Sequence, residues 1–266
     1  MIQPHHTIDG NDRDAVLVTH PRPHVVVLTI ASQPLGVLRI SVKKRMLTIL
    51  TELDGDRDVR AVVLTGSSKA FSVGSDVLEF QRDAAWLLAA EEAENAVNDF
   101  IEGTRLPVIA AISGHALGGG MVLALACDIR IANLNARLGV PEVKVGAFAS
   151  GSGTQRLPAL IGRGNALMLL MTGRLIDASE AHRLGLVEFV TDGDVVEAAV
   201  NLAAEIAEMP PAAVEASKRC VSVGLNEGRT AGMAQEAHYA VSLGLSDDAA
   251  EGQRAFIEKR QPRFNG

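Results

Sequence analysis

The sequence predicts an α/β core followed by a helical C-terminal region. Short apolar runs, typical of buried strands, alternate with amphipathic helical patterns up to about residue 190. After the run GLVEFV, at 185–190, the strand signal fades and only helical patterns remain. We therefore predict an α/β core over residues 1–190 and a helical region over residues 191–266.

The individual elements follow from these patterns. The strands are predicted at VVVLTI (25–30), AVVLTG (61–66) and PVIAAISG (107–114). The helices are predicted at 41–53, 81–102, 194–208, 211–225, 230–243 and 247–259. Pro211 suits the first turn of a helix, and Asp247 is predicted as an N-terminal cap.

Composition excludes several classes of protein. A net charge of −7 over 266 residues disfavours nucleic-acid binding, which requires a basic stripe. No apolar run is long enough to span a membrane, and residues 1–14 lack the apolar core of a secretory signal. The two cysteines, Cys127 and Cys220, are too far apart for a C-x-x-C metal site and are expected to be reduced. We expect a cytoplasmic protein with no metal site.

A glycine triplet separates a strand-like run from an apolar helix in SGHALGGGMVLALACDIRIA (113–132). The N–H groups at a helix start lack intrahelical partners, and glycine lets a ligand approach them. A phosphate site, an oxyanion hole and simple close packing all remain open. No Lys-Ser or Lys-Thr pair follows, and the spacing does not match the dinucleotide fingerprint.

A second loop, KAFSVGSDVLEF (69–80), also follows a strand and places Gly74 and Ser75 at a turn. Two such loops after neighbouring strands would direct two N–H groups at one oxygen, which favours the oxyanion hole. No G-x-S-x-G motif is present, so Ser75 and Ser152 are not predicted to be nucleophiles.

Four segments in order resemble the enoyl-CoA hydratase/isomerase family of the crotonase superfamily. They are RAVVLTGSSKAFSVGSDVLEF, LPVIAAISGHALGGGMVLALACDIRIA, PEVKVG and GTQRLPALIG, and the resemblance covers residues 15–264. It implies a crotonase-like spiral of β-β-α turns with a helical C-terminal region that forms homo-trimers or homo-hexamers. It also implies an acyl-CoA thioester substrate and no cofactor beyond the coenzyme A that the substrate carries.

The resemblance assigns roles to particular residues. The N–H groups of Ser75 and Gly119 would hold the thioester oxygen, and Glu142 of the PE motif would exchange a proton. The position of the hydratases' other glutamate holds Val122, and the position of the thioester hydrolases' aspartate holds Ser150. A single remaining glutamate favours isomerisation of 3-enoyl-CoA to 2-enoyl-CoA. A hydratase with an atypical site and a non-catalytic CoA-ester binder remain alternatives.

Further residues are predicted from the same resemblance to contact the substrate. Lys69 and Lys259 are candidates for the CoA phosphates, and His115 for the pocket lining. The remaining predicted contacts are Phe71, Gly74, Asp76, Gly118, Val122 and Phe148. Apolar neighbours are expected to raise the pKa of Glu142. Asp128 and Arg156 are expected to be structural.

Overall fold

The computed structural model describes residues 15–264 and contains two β-sheets. Segment 1–14, for which we predict no secretory signal, lies outside the described residues. The first sheet has six strands in the order β1-β2-β3-β5-β7-β10. Only β1 is antiparallel to its neighbour. Its strands are β1 (Val16–Arg22), β2 (Val25–Ile30), β3 (Ala61–Thr65), β5 (Val108–Ile112), β7 (Ile129–Asn133) and β10 (Phe189–Thr191).

The second sheet is built from short strands in the order β4-β6-β8-β9. They are β4 (Ala70–Ser72), β6 (His115–Leu117), β8 (Arg137–Gly139) and β9 (Ile176–Asp177). The first three are parallel to one another, and β9 is antiparallel to β8. Gly114, at φ +58°, turns the chain from β5 into β6, where a side chain would collide with the Lys69 carbonyl. The predicted run at 107–114 therefore forms β5 of the first sheet and ends at the turn that leads into the second.

Helices cover both faces of the six-stranded sheet. Most of the core lies on one face, where α1 and α2 pack together. The other face is covered by α6, whose Val195, Ala199 and Ala203 pack against strand residues such as Val63 and Ile109. Thus α6, predicted as part of the C-terminal region, belongs to the core. The helices up to this point are α1 (Ile40–Gly55), α2 (Ala84–Gly103), α3 (Gly119–Ala126), α4 (Gly153–Thr172), α5 (Ala178–Leu184) and α6 (Val195–Ala207).

Three helices complete the chain close to their predicted bounds: α7 (Pro211–Asn226), α8 (Arg229–Gly244) and α9 (Asp247–Glu258). Pro211 is in the first turn of α7, as predicted. The predicted cap of α9 is wrong by one residue: the Ser246 hydroxyl accepts from the Ala249 N–H, and Asp247 lies in the first helical turn. None of the helices within residues 15–264 is long and apolar enough to cross a membrane.

Two predicted structural residues have the expected contacts. The Asp128 carboxylate accepts from the Val108 N–H and from Lys218 Nζ of α7. The Arg156 guanidinium pairs with Asp99 and Glu102. Both cysteines are free; Cys127 is buried, which raises the pKa of its thiol to about 12, whereas Cys220 is partly exposed.

Candidate active site

Three parallel strands of the second sheet end at one edge and bring the predicted site together. The register pairs Ser72 of β4 with Ala116 of β6, and Leu117 of β6 with Gly139 of β8. The chain leaves β4 toward Ser75, β6 toward Gly119 and β8 toward Glu142. Parallel neighbours carry their following loops to the same edge. Residues far apart in sequence therefore meet there.

The two predicted oxyanion loops touch each other. Gly74 has a φ of +87°, and a methyl group added to it would lie 2.8 Å from the Gly119 nitrogen. Gly119 begins α3, and Gly118 precedes it at φ +55°. No hydrogen bond within residues 15–264 uses the N–H of Ser75 or Gly119. Two adjacent free donors suit an oxygen on which negative charge develops.

Glu142 faces this pair of loops from a 3₁₀ turn (Pro141–Val145). A methyl group added to Gly118 would lie 3.2 Å from Glu142 Oε1. Its Oε2 is buried and has no hydrogen-bond partner among the described residues. Burial raises the pKa of Glu142, as expected, and the negative charge of Glu94 raises it further against the effect of its own N–H. A carboxyl group with a raised pKa is suited both to accepting and to donating a proton.

Val122 lies in the packed interior behind the glycine triplet. It is 0% exposed, and a methyl group added to Gly153 would lie 2.8 Å from its Cγ2. The side chain therefore seals α3 against the start of α4 and has no exposed surface for a substrate. We correct Val122 from a predicted substrate contact to a core residue.

A second carboxylate, which sequence reasoning missed, lies beside the oxyanion loops. Glu94 of α2 pairs with Lys43 of α1 at 2.6 Å, and both side chains are nearly buried. The Lys43 ammonium group also donates to Ser75 Oγ at 3.0 Å. A methyl group added to Gly119 would lie 3.1 Å from Glu94 Oε1. One sequence signal existed: Lys43 shares the buried stripe of α1 with Met46 and Leu50.

The other residues predicted to contact the substrate lie in different surroundings. His115 is the first residue of β6, and its Nδ1 atom is buried with no hydrogen-bond partner among the described residues. Phe148 is largely exposed, as are Lys69 and Lys259. Asp76 pairs with Arg39 and accepts from the Leu78 N–H, so it holds the first loop in place. Phe71 is corrected to a core residue, because its side chain is fully buried in β4.

An open cleft of about 680 Å³ borders Ser75. Its walls come from the loop after β2 and from the loop after β4, including Pro34, Val37, Val73 and Val77. Further along the second loop, Phe80 meets Trp86 of α2 edge to face, with ring centroids 5.8 Å apart. These apolar surfaces can accept an acyl chain or a cofactor next to the free N–H group of Ser75. Residues 15–264 contain no cluster of three or more potential metal ligands.

Known proteins resemble this chain in both sequence and fold. The family model described as enoyl-CoA hydratase/isomerase matches residues 24–266. The chain is 37% identical over 257 residues to a putative enoyl-CoA hydratase/isomerase of Bacillus subtilis, covering 95% of this chain and 99% of the relative. It is 34% identical over 226 residues to 2,3-dehydroadipyl-CoA hydratase of Escherichia coli, covering 83% and 88%.

Solved structures agree with these matches. The crystal structure of an enoyl-CoA hydratase from Bacillus anthracis superposes with a TM-score of 0.91 at 37% identity, covering 94% of this chain and 99% of that one. The structure of DspI from Pseudomonas aeruginosa also gives 0.91, at 33% identity and 98% and 99% coverage. The chain therefore belongs to the enoyl-CoA hydratase/isomerase family and is an enzyme with the crotonase fold.

Proposed function

We propose that this enzyme isomerises 3-enoyl-CoA to 2-enoyl-CoA, with Glu142 as the group that moves the proton. The observation that supports isomerisation is Val122, an apolar core residue at a position where the family's hydratases use a glutamate. Of the two positions at which the family's hydratases carry glutamates, only position 142 holds a carboxylate in this chain. Coenzyme A enters as part of the substrate, and the proposal needs no metal or redox cofactor.

The proposed reaction runs through an enolate. The Glu142 carboxylate removes a proton from C2, and the C2–H electrons move toward the thioester carbonyl. The N–H groups of Ser75 and Gly119 hold the resulting oxyanion. Glu142 then returns the proton to C4, which shifts the double bond to C2–C3. The raised pKa of Glu142 suits both halves of this step.

Hydration of 2-enoyl-CoA is the second candidate. Several relatives are named as hydratases, including that of Escherichia coli. Hydration uses the same oxyanion donors and also involves a proton at C2. The two candidates differ in that water adds to C3 in hydration, whereas a proton is delivered to C4 in isomerisation. A third possibility from another class is a binder of CoA esters that no longer turns them over.

The deciding experiment compares both reactions in the wild type. We expect 3-enoyl-CoA isomerisation to be faster than 2-enoyl-CoA hydration at equal substrate concentration, measured by product chromatography. Faster hydration would overturn the isomerase assignment. Tight binding of both esters without conversion would support the binder, and no CoA-ester binding would contradict both enzymatic and binding roles.

The pH dependence of isomerisation provides a further prediction. Removing the C2 proton requires the carboxylate form of Glu142, so kcat falls as the pH drops through the raised pKa. We expect the acid limb of kcat above the usual range of a glutamate. Because Glu94 contributes to the elevation, Glu94→Gln should move this limb to lower pH. An unchanged limb in the variant would remove Glu94 from the electrostatics of Glu142.

We also propose that the chain assembles as a homo-trimer or homo-hexamer in the cytoplasm. Helices α7–α9 and the turn between α8 and α9 expose apolar side chains that a monomer rarely leaves in water, among them Leu225, Met233, Val241, Leu245 and Phe256. Light scattering at micromolar concentration is expected to give three or six chains. A purely monomeric mass would contradict the assembly.

A further inference from the structure

One oxygen of the Glu94 carboxylate accepts hydrogen bonds, and the other has no partner among the described residues. Its Oε2 accepts from Lys43 Nζ at 2.6 Å and from the Ser75 hydroxyl at 3.3 Å. No hydrogen bond among residues 15–264 uses Oε1. The ion pair with Lys43 and the hydrogen bond from Ser75 fix the orientation of the carboxylate. A fixed carboxylate with a free oxygen is suited to receiving a proton.

The free oxygen points at the reaction centre. A methyl group added to Gly119 would lie 3.1 Å from Glu94 Oε1, and one added to Gly151 would lie 2.7 Å from it. Because glycine has no side chain, both positions leave room for Glu94 Oε1. On the neighbouring residue, a methyl group at Gly118 would meet Glu142 Oε1 at 3.2 Å. The carboxylates of Glu142 and Glu94 thus lie beside two consecutive glycines, Gly118 and Gly119. The N–H group of Gly119 is one of the two proposed oxyanion donors.

The two carboxylates have different surroundings. Glu94 has a cation and a hydroxyl group on one oxygen, whereas Glu142 Oε2 is buried without a partner. Neighbouring carboxyl groups in such unlike environments divide into a proton acceptor and a proton donor. The acceptor comes from helix α2, so the side chain at position 122 is not needed for it.

We infer that Glu94 is a second catalytic residue, which binds and deprotonates a water molecule and so gives this site hydratase activity alongside isomerisation. The inference rests on the proposed function of Glu142 and the two N–H donors. Glu94 Oε1 takes a proton from water as the water oxygen bonds to C3. The C2–C3 π electrons form the enolate, and protonated Glu142 delivers its proton to C2. Glu94 then releases its proton to solvent, and Glu142 is reprotonated.

The test measures both reactions in four proteins: wild type, Glu94→Gln, Glu94→Asp and Glu142→Gln. We expect Glu94→Gln to lower hydration by about 10²–10⁴-fold, as for loss of a positioned base. Isomerisation, measured on the plateau above its acid limb because the variant also shifts the pKa of Glu142, should fall much less than hydration, so the ratio of hydration to isomerisation should drop by at least about 10²-fold. Glu94→Asp keeps the charge opposite Lys43 but withdraws the free oxygen by one methylene, so it should show the same selective loss.

The matched control is Glu92→Gln, an exposed glutamate on the same helix, which should change neither rate. Equal loss of both reactions in the two Glu94 variants would overturn the inference, because it would indicate a structural role. Unchanged hydration in both variants would also overturn it and leave the role of Glu142 intact. Persistent isomerisation in Glu142→Gln would instead refute the proposed function.

Discussion

Replacing Glu142 by Gln is expected to lower isomerisation by at least about 10²–10⁴-fold, the usual loss when a positioned acid or base is removed. The amide keeps the shape of the side chain, but it cannot accept the C2 proton. Glu142 Oε2 is buried without a partner among the described residues, so the new amide group does not break a hydrogen bond of that oxygen. Steady-state rates on 3-enoyl-CoA provide the measurement.

Substrate affinity separates a chemical effect from misfolding in this variant. The N–H donors of Ser75 and Gly119 belong to the backbone and stay in place, so CoA-ester binding should change little. Lys144→Met, at an exposed lysine of the same 3₁₀ turn, is a control that should keep full activity. Wild-type rates in Glu142→Gln would exclude Glu142 from the mechanism.

The second large effect concerns stability and the anchoring of α7. Lys218 Nζ donates to the carbonyls of Ile101 and Leu106 at 2.7 and 2.8 Å, and to Asp128 at 2.8 Å. Lys218→Met removes a donor from two carbonyls and leaves the shielded Asp128 carboxylate with the Val108 N–H but without its lysine partner. Burial already raises the pKa of Asp128 despite the attraction of Lys218, so the carboxylate is costly to leave alone. We expect a loss of about 3–5 kcal/mol in the free energy of unfolding.

Denaturant unfolding of the variant measures this loss. Lys44→Met, at an exposed position of α1, is the matched control and should change the free energy of unfolding by less than about 0.5 kcal/mol. Adding Asp128→Asn to Lys218→Met should recover part of the loss, because it removes the unpaired charge. A Lys218→Met variant as stable as the control would show that these three hydrogen bonds contribute little.

Much of the fold is readable from the sequence because its signals are local. The apolar runs of β2, β3 and β5 and the helical patterns of α6–α9 correspond closely to the observed bounds. The second sheet was not predicted, since β4, β6 and β8 have three residues each and show no periodicity. The turn at Gly114 ends the predicted run at 107–114 and leads directly into β6, which was not predicted.

The site was predictable where motifs carry it and not where packing creates it. Ser75, Gly119 and Glu142 come together as the family resemblance implies. Glu94 was not found, because its partner Lys43 is 51 residues away and the pair forms only when α1 and α2 pack together. Phe71 and Val122 were misassigned, since motif position does not show whether a side chain points to the site or to the core.

Loss of deuterium from C2 of a 3-enoyl-CoA labelled at that carbon tests the central claim most directly, because Glu142 is proposed to remove one C2 proton and return it to C4. Wild type and Glu142→Gln are incubated with the labelled ester, and mass spectrometry locates the deuterium that leaves C2 for C4 or for solvent. The account predicts enzyme-dependent loss of one C2 deuterium with the wild type, at a rate at least about 10²-fold higher than with Glu142→Gln. Equal rates of C2 label loss in the two proteins would contradict it.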